Sequence, residues 1–348
     1  MDDFFKKKAE TSDMVKNKFF QAARPLADSF GTAAYGGEGW SPRVRTHGQE
    51  VGDLWAACGI DNEWSVLKSV LVHRPGKEME IPADKINVLQ FAEGLDLGHA
   101  RAEHDYMVEM YRENGVCVHV LDPNPGMTPN QLYCADLFAM TPQGAILARP
   151  ASTVRAGEER WVAATLAGMG IPILKTLTGT ATFEGADLMW VDPETAVIGR
   201  GLRTNQAAID QISTLLSEMG ITTLAFDLPY GCMHFMGMLR TVDRDLAFVW
   251  PRRTPHGLVT LLRERGYQVL PLPDVEEAMA NMAFNFVVMG QRKIMVAARN
   301  PKSLAYYTSL GVECIPIPVD ELRKANGAMG CMTGILCREK SEKGRLHP

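Results

Sequence analysis

Cys331 is the residue whose type and setting point most clearly to chemistry. It stands in the glycine-rich segment NGAMGCMTG, between a predicted helix over 320–325 and the strand GILC. Glycine lets the backbone turn sharply, and such a turn can present a thiol to a small ligand. We therefore interpret Cys331 as a candidate nucleophile and expect an electropositive setting that favours its thiolate. The alternative is a buried structural cysteine, a role that suits Cys337 in the following strand better.

His234 is the candidate acid/base partner of this thiol. It stands in PYGCMHFMGM, where methionines and a phenylalanine would keep water from the imidazole and move its pKa across the physiological range. A thiol and an imidazole together can perform nucleophilic catalysis. A lone histidine in an apolar segment is otherwise a core residue, so this interpretation depends on the pairing with Cys331.

Three carboxylates stand in apolar surroundings close to predicted strands. Glu184 and Asp187 belong to TATFEGADLMWVD, and Asp136 belongs to LYCADLF. A buried carboxylate needs a cation, and a planar guanidinium offers both charge and a fork of N–H donors. The alternative is that these acids only cap turns and helices. Arg155 and Arg203 are candidates for holding a substrate carboxylate, with surface ion pairs as the alternative.

A repeat indicates the elements that would bring these side chains together. A helix-like stretch, a glycine and a strand recur five times, and further strand-like runs follow each copy. A helix commonly ends at a left-handed residue, which glycine adopts at least cost. The repeat glycines are Gly115, Gly170, Gly220, Gly266 and Gly311.

The repeat predicts an α/β fold of five units, and the near-equal spacing favours a closed arrangement over a doubly wound sheet. Side chains at equivalent offsets would then meet in the middle. Each copy supplies a polar residue or pair 14 to 21 positions after its glycine, which adds Asn285 to the candidate substrate-binding residues. We expect an N-terminal arm over 1–60, a single catalytic domain over 61–340 and a tail over 341–348.

Composition narrows the classes of partner. The net charge is −5 and no basic block is present, which argues against nucleic acid. No apolar run is long enough to span a membrane, and the start of the chain lacks the apolar core of a signal peptide. Seven scattered cysteines predict free thiols in a reducing cytoplasm, with Cys117 and Cys314 as small core residues. We expect a cytoplasmic protein that acts on a small molecule, and a homodimer is compatible with the sequence.

The order and spacing of these motifs resemble the guanidino-group-modifying enzymes, which include arginine deiminases, dimethylarginine dimethylaminohydrolases and arginine amidinotransferases. LKSVLVHRPGKE and EHD resemble the opening of arginine deiminases, and FEGAD resembles their F-E-G-G-D turn. RTNQ resembles the R-T-N of deiminases and dimethylarginine hydrolases, and GAMGCMT resembles the glycine-rich cysteine turn. Residues of about 60 to 340 carry the resemblance, which implies the pentein fold, a five-bladed ββαβ propeller with pseudo-fivefold symmetry.

The resemblance also implies roles and a reaction. Cys331 would be the nucleophile and His234 the general acid/base in the hydrolysis of arginine or an N-substituted arginine. A covalent thiouronium would form and give a citrulline-type product, without metal or cofactor. Amidino transfer to an amine is the alternative, and a non-catalytic binding protein on the same fold is a distant one. The implied binding residues are Glu184 and Asp136 at the guanidinium, Arg155 and Arg203 at the amino-acid end, and Asp187 in the same acidic turn.

The chain departs from the family pattern in three places. Met236 stands where deiminases and amidinotransferases carry the aspartate of H-x-D, and an apolar residue there could make room for a substituted guanidinium nitrogen. Met236 is therefore a candidate substrate-binding residue. Gly330 replaces a polar side chain just before the cysteine and Gly327-Ala328 replaces a glycine pair. Ala186 replaces the second glycine of the acidic turn.

Overall fold

The computed structural model describes residues 30–341, and the chain divides into two compact units between Thr46 and His47. In the first unit, the described residues form a 3-10 turn over Ala33–Tyr35 and an isolated bridge between Thr32 and Glu38. All the other helices and strands within residues 30–341 belong to the second unit. Most of the predicted N-terminal arm and tail, at 1–29 and 342–348, lies outside the described residues.

The second unit is built from five three-stranded sheets with one common topology. In each sheet two strands pair antiparallel, and a helix then leads to a third strand that pairs parallel with one of them. This arrangement confirms the predicted α/β propeller of five ββαβ blades.

The strands of the five sheets have the following bounds. They are β15 (Gly334–Arg338), β1 (Leu67–Val72) and β2 (Cys117–Val120) in the first sheet; β3 (Phe138–Thr141), β4 (Gly144–Leu147) and β5 (Ile173–Thr176) in the second; β6 (Leu188–Asp192), β7 (Thr195–Arg200) and β8 (Thr222–Asp227) in the third; β9 (Leu239–Asp243), β10 (Leu246–Val249) and β11 (Gln268–Pro271) in the fourth; and β12 (Val287–Gly290), β13 (Lys293–Ala297) and β14 (Glu313–Ile317) in the fifth.

Nine α-helices lie in the described part of the chain. They are α1 (His47–Glu50), α2 (Leu97–Glu113), α3 (Cys134–Leu137), α4 (Glu159–Gly168), α5 (Gln206–Glu218), α6 (His256–Glu264), α7 (Val275–Ala280), α8 (Pro301–Ser309) and α9 (Met329–Met332). None of the helices over 30–341 is long and apolar enough to cross a membrane.

The five repeat glycines end the five blade helices α2, α4, α5, α6 and α8. Each adopts a left-handed conformation, with φ of +76° or +86°. After α4, for example, the N–H of Gly170 donates to Ala167 O (3.0 Å) and the N–H of Ile171 donates to Leu166 O (2.9 Å). The glycine therefore stops the helix and returns the chain directly to the outer strand of the blade.

The first blade is assembled from both ends of the second unit. Strand β15 pairs antiparallel with β1, with Leu71 opposite Gly334, and β1 pairs parallel with β2. Strand β15 also contacts β3 of the second blade, and β1 contacts β12 of the fifth. The first blade thus contacts the second blade through β15 and the fifth blade through β1.

The third strand of every blade is an edge strand, with one side open to solvent. For this reason the prediction that Cys117 and Cys314 are core residues is wrong. Cys117 lies exposed on β2, and Cys314 is only half-buried on β14. The apolar character of their segments reflects strand formation rather than full burial.

Candidate active site

The candidate residues occupy equivalent places in the five blades, immediately before the first strand of each. His234 Nε2 lies 2.6 Å from Glu184 Oε2, and His234 Nδ1 lies 3.8 Å from Asp136 Oδ1. Asn285 Nδ2 lies 2.8 Å from Cys331 Sγ. The fold therefore brings together these candidate residues, which stand at similar offsets from the repeat glycines. In blade order they are Asp136 before β3, Glu184 before β6, His234 before β9, Asn285 before β12 and Cys331 before β15.

Cys331 lies in the single turn of α9 and forms two hydrogen bonds with Asn285. Asn285 Nδ2 donates to Cys331 Sγ, and the N–H of Cys331 donates to Asn285 Oδ1 over 3.2 Å. Asn285 was predicted to bind substrate, but its side-chain amide is hydrogen-bonded to Cys331. Its position in the structure is that of a residue that orients the thiol and stabilises a thiolate by hydrogen bonding.

The thiol of Cys331 is neutral in the free protein. Burial and the nearby Asp136 carboxylate raise its pKa, against smaller lowering contributions from the Asn285 amide and the Arg240 guanidinium. The setting is therefore less electropositive than expected. Arg240 is buried, its Nε has no hydrogen-bond partner among the described residues, and its guanidinium lies 4.9 Å from the centre of the Phe286 ring.

Two glycines of the cysteine turn are required by close contacts. A Cβ on Gly330 would lie 2.6 Å from Asn285 Oδ1 and 2.8 Å from Arg240 Nη2, and a Cβ on Gly327 would lie 2.5 Å from the Tyr133 ring. Gly330 thus leaves room for Asn285, which contacts the thiol, and for Arg240, which faces it. This explains why the polar side chain of the family pattern is absent here.

His234 is protonated at neutral pH. Burial alone would lower its pKa, but Asp136, Glu184 and Asp187 together raise it to about 9. The imidazolium donates from Nε2 to Glu184, and His234, Arg155 and Arg203 hold the pKa of the Glu184 carboxyl well below its usual range despite burial. An imidazolium is the form that can protonate a departing amine.

Asp187 holds the turn that carries His234 through hydrogen bonds. Its Oδ2 accepts a hydrogen bond from the Thr204 hydroxyl (2.6 Å), and its Oδ1 accepts one from the N–H of Phe235 (2.9 Å). Burial raises the pKa of Asp187 to about 6. Asp187 was predicted to bind substrate, but both of its oxygens are engaged within the protein, so its place is that of a positioning residue for the histidine turn.

Arg155 forms hydrogen bonds with three carboxylates of the site. It is only 2% exposed, its Nη1 donates to Asp136 Oδ2 (2.7 Å) and Glu184 Oε2 (3.4 Å), and its Nε donates to Glu158 (2.9 Å). The prediction that Arg155 holds a substrate carboxylate does not match these contacts, because three carboxylates already surround it. Arg203 pairs with Glu184 Oε1 over 3.0 Å and is 6% exposed.

One carboxylate oxygen in this cluster is left without a partner. Asp136 Oδ1 is buried and accepts no hydrogen bond from any described residue. Unsatisfied buried acceptors are rare and usually indicate a missing ligand, water or ion. Ligand atoms of Asp136, Glu184 and His234 lie within 4.8 Å of one another, but Arg155, Arg203 and the protonated His234 already supply the cations, so a metal fits poorly there.

Two cavities meet at Cys331 and His234. The smaller, of about 20 Å³, is polar and is lined by Asp136, Arg155 and Arg203 among others. The larger, of about 300 Å³, lies beyond the thiol, and Met236 is part of its wall. Cys331 and His234 line both cavities.

The family model described as N,N dimethylarginine dimethylhydrolase, eukaryotic, matches residues 89–338. The chain belongs to this family. The dimethylarginine dimethylaminohydrolase of Streptomyces coelicolor is 24% identical over 266 residues, which cover 76% of this chain and 96% of that protein. This confirms the predicted membership of the guanidino-group-modifying superfamily.

Solved structures share the fold of this dimethylarginine dimethylaminohydrolase-family chain. The enzyme of Pseudomonas aeruginosa in complex with citrulline has a TM-score of 0.65 at 19% identity, covering 78% of this chain and 99% of that one. An amidinotransferase of Microseira wollei from the saxitoxin biosynthetic pathway has a TM-score of 0.67 at 16% identity, covering 84% and 99%. Both agree with the pentein propeller.

Several site residues of this family member escaped prediction from sequence. Glu158 could have been found from its spacing, because it lies three residues after Arg155. Tyr133, whose hydroxyl donates to Ala325 O, stands in the same LYCADLF segment as Asp136. Arg240 reads as an ordinary residue of strand β9. Gln90, which accepts a hydrogen bond from Arg203 over 3.2 Å, lies between β1 and α2, outside the repeat offsets, and gave no signal.

Proposed function

We propose that this protein hydrolyses the guanidinium group of arginine or an N-substituted arginine, with Cys331 as nucleophile, to a citrulline-type product. The observation that carries the proposal is the buried Asp136 Oδ1, which accepts no hydrogen bond from the described residues and lies in the same site as a thiol and a protonated imidazole. A guanidinium N–H satisfies that oxygen. We assign the substrate carboxylate to Arg203, which is among the residues that line the small cavity.

Substrate binding prepares the nucleophile. Since burial and Asp136 raise the pKa of Cys331, the free protein holds a thiol, and His234 is already protonated and cannot accept its proton. A guanidinium placed beside the sulfur adds a positive charge, lowers the thiol pKa and lets its proton leave to solvent. Asn285 then donates to the thiolate.

The first half-reaction forms the covalent intermediate. The Cys331 thiolate attacks the guanidinium carbon and makes a C–S bond. His234 gives its proton to the departing nitrogen, the C–N bond breaks, and an amine leaves a thiouronium on the cysteine. The carboxylates hold the cationic group rigid while the bond angles at carbon change.

The second half-reaction releases the product. Neutral His234 takes a proton from a water molecule, and the oxygen attacks the thiouronium carbon. The C–S bond breaks, the thiolate returns and a urea group remains on the product. If an amine takes the place of water, the same steps transfer the amidino group. The large cavity beside Cys331 is the observation that favours this second candidate, because it has room for an amine.

A cytoplasmic location is part of the same proposal. The seven cysteines are all free thiols, which is usual for a protein kept in a reducing compartment.

The proposal is tested by incubation with arginine, monomethylarginine, dimethylarginine, and arginine plus glycine, with mass spectrometry of the products. We expect a citrulline-type product from at least one guanidine, and none from a Cys331→Ser variant. Cys337→Ser, which alters a half-buried thiol on the following strand, is the matched control and should retain activity. Product formation by Cys331→Ser at the wild-type rate would contradict the proposal.

A further inference from the structure

A third cavity lies among the first strands of the five blades. It has about 80 Å³, and neither Cys331 nor His234 is among the residues that line it. Every first strand contributes to its wall, so it lies at the centre of the propeller and is distinct from the two cavities of the candidate active site. The wall includes Ala139 on β3, Met189 on β6, Arg240 on β9, Val288 on β12 and Arg338 on β15.

Two buried arginines on this wall are not paired with any acid. Arg240 is 7% exposed and Arg338 is 2% exposed. The Nε of each has no hydrogen-bond partner within residues 30–341, although Arg338 Nη1 donates to Ser65 O over 2.8 Å. Neither guanidinium forms an ion pair with a carboxylate of the described residues. Buried arginines are normally paired, because an uncompensated charge inside a protein is costly.

Glu63 is the acid on the described wall of this cavity, and its charge offsets one arginine at most. Its Oε1 accepts a hydrogen bond from the N–H of Trp190 over 3.0 Å, and burial raises its pKa despite the two arginines. Burial lowers the pKa of Arg338 to about 10, with a further lowering contribution from the charge of Arg240. Both guanidinium groups therefore stay charged at neutral pH, and the cavity keeps an excess of positive charge.

The size and charge of the cavity define the ligand that it fits. One water molecule takes up about 30 Å³, so a cavity of about 80 Å³ has room for a halide ion or an oxyanion of about four heavy atoms, such as formate or nitrate. A guanidinium presents parallel N–H donors that match the oxygens of such an ion. A single negative charge would compensate the charge that one arginine leaves over when the other is offset by Glu63.

We propose that this central cavity binds one small monovalent anion through the guanidinium groups of Arg240 and Arg338, and that the bound anion makes Cys331 less reactive. The link to the thiol is short, because a Cβ on Gly330, the residue before Cys331, would lie 2.8 Å from Arg240 Nη2. Burial raises the pKa of Cys331 and Arg240 lowers it. An anion beside Arg240 offsets that lowering and disfavours the thiolate. The proposal is independent of the hydrolytic reaction, since binding and thiol reactivity are measured without substrate.

The first test locates the anion in the wild-type protein. Bromide scatters X-rays anomalously, so crystals soaked in sodium bromide show directly where a small monovalent anion binds. We expect an anomalous peak in the central cavity, beside the guanidinium groups of Arg240 and Arg338. A cavity that contains water only, with bromide confined to the protein surface or to the candidate active site, would overturn the proposal.

The second test measures the effect of the anion on the nucleophile. The rate of Cys331 alkylation by iodoacetamide is followed by mass spectrometry after prolonged incubation in sodium formate, nitrate, chloride or bromide. Sodium gluconate, whose anion is too large for the cavity, keeps the ionic strength constant and is the control. We expect at least one small anion to slow alkylation severalfold, with saturation. A stronger effect of halides or of oxyanions identifies the ligand, and equal rates in all five salts would overturn the proposal.

Arg338→Met separates the central cavity from the candidate active site, because Arg338 lines neither cavity that contains Cys331. In gluconate this variant should be alkylated at the wild-type rate, and the slowing by small anions should disappear. Arg265→Met is the matched control and should keep the slowing, since Arg265 pairs with Asp192 over 3.2 Å and does not line the central cavity. Slowing that persists in folded Arg338→Met would place the anion in the active site and overturn the proposal. If Arg338→Met does not fold, the position of bromide in the wild-type crystals decides.

Discussion

The protonation states of two side chains determine what the site can do. Cys331 is a neutral thiol because burial and Asp136 raise its pKa, and His234 is an imidazolium because three carboxylates raise its pKa to about 9. In the proposed reaction the histidine therefore enters as an acid and not as the base that ionises the thiol. The apolar sequence around His234 predicted a shifted pKa but could not give the direction, which depends on acids from two other blades.

The activity should fall at high pH as His234 loses its proton. The imidazolium is present below its pKa and disappears as the pH rises through about 9, so kcat/KM should decline above that value. The measurement is the pH profile of kcat/KM from pH 6 to 10.5, with circular dichroism at each pH as a control for folding. A profile that keeps rising to pH 10.5 would show that the protonated histidine is not required.

Arg240 should help to ionise Cys331 without touching substrate. Replacing it by methionine removes a cation near the thiol, so the pKa of Cys331 should rise further and its alkylation by iodoacetamide at pH 7 should slow severalfold. Arg338→Met is the matched control, because Arg338 is also a buried arginine but is not among the main groups that shift the Cys331 pKa. Equal alkylation rates in Arg240→Met and wild type would contradict this role.

At the scale of the elements, short turns before the first strand of each blade carry the candidate nucleophile, the candidate acid and the residues that contact them. The turn of His234, with its 3-10 helix over Phe235–Gly237, is fixed by the Asp187 carboxylate through the N–H of Phe235. The sequence predicted that FEGAD would supply two acids to the site. It could not show that Asp187 faces the neighbouring turn, because the hydrogen bond joins residues 48 positions apart.

The role of Asp187 can be separated from substrate binding by two substitutions. Asp187→Asn keeps an oxygen for the N–H of Phe235, so it should retain most of the activity. Asp187→Ala leaves that buried N–H unsatisfied, which costs about 1 to 3 kcal/mol, and should lower kcat about tenfold or more with little change in KM. The measurement is kcat and KM of both variants. A similar rise of KM in both would instead indicate a charge that binds substrate.

At the scale of the whole molecule, the five copies of the repeat allowed the fold to be predicted from the sequence. The five glycines each end a helix at left-handed φ, and their spacing sets the size of a blade. Asp136, Glu184, His234 and Cys331 stand at similar offsets from these glycines, which supported their choice as site residues. Contacts between blades could not be predicted from these offsets, because the pairing of Asn285 with Cys331 depends on how one blade is rotated against the next.

Strand β15 completes the first blade, so a substitution in this strand tests the stability of the whole propeller. Leu336 is fully buried on β15 and belongs to the core shared with the second and third blades. Leu336→Ala should lower the free energy of unfolding by about 2 to 5 kcal/mol, measured by urea denaturation. Val120→Ala, at a 40% exposed position on β2 of the same sheet, should change it by less than about 1 kcal/mol. Comparable losses in both variants would contradict the closure described here.

The central claim is that Cys331 forms a covalent bond to a guanidinium carbon. Its most direct test is rapid acid quenching during turnover of arginine and its N-substituted derivatives, followed by mass spectrometry of the intact protein and its peptides. The account predicts an adduct with the mass of the substrate less the departing amine, on Cys331 alone, and no adduct in Cys331→Ser. Turnover without any adduct on Cys331, or an adduct on another of the seven cysteines that persists in Cys331→Ser, would contradict it.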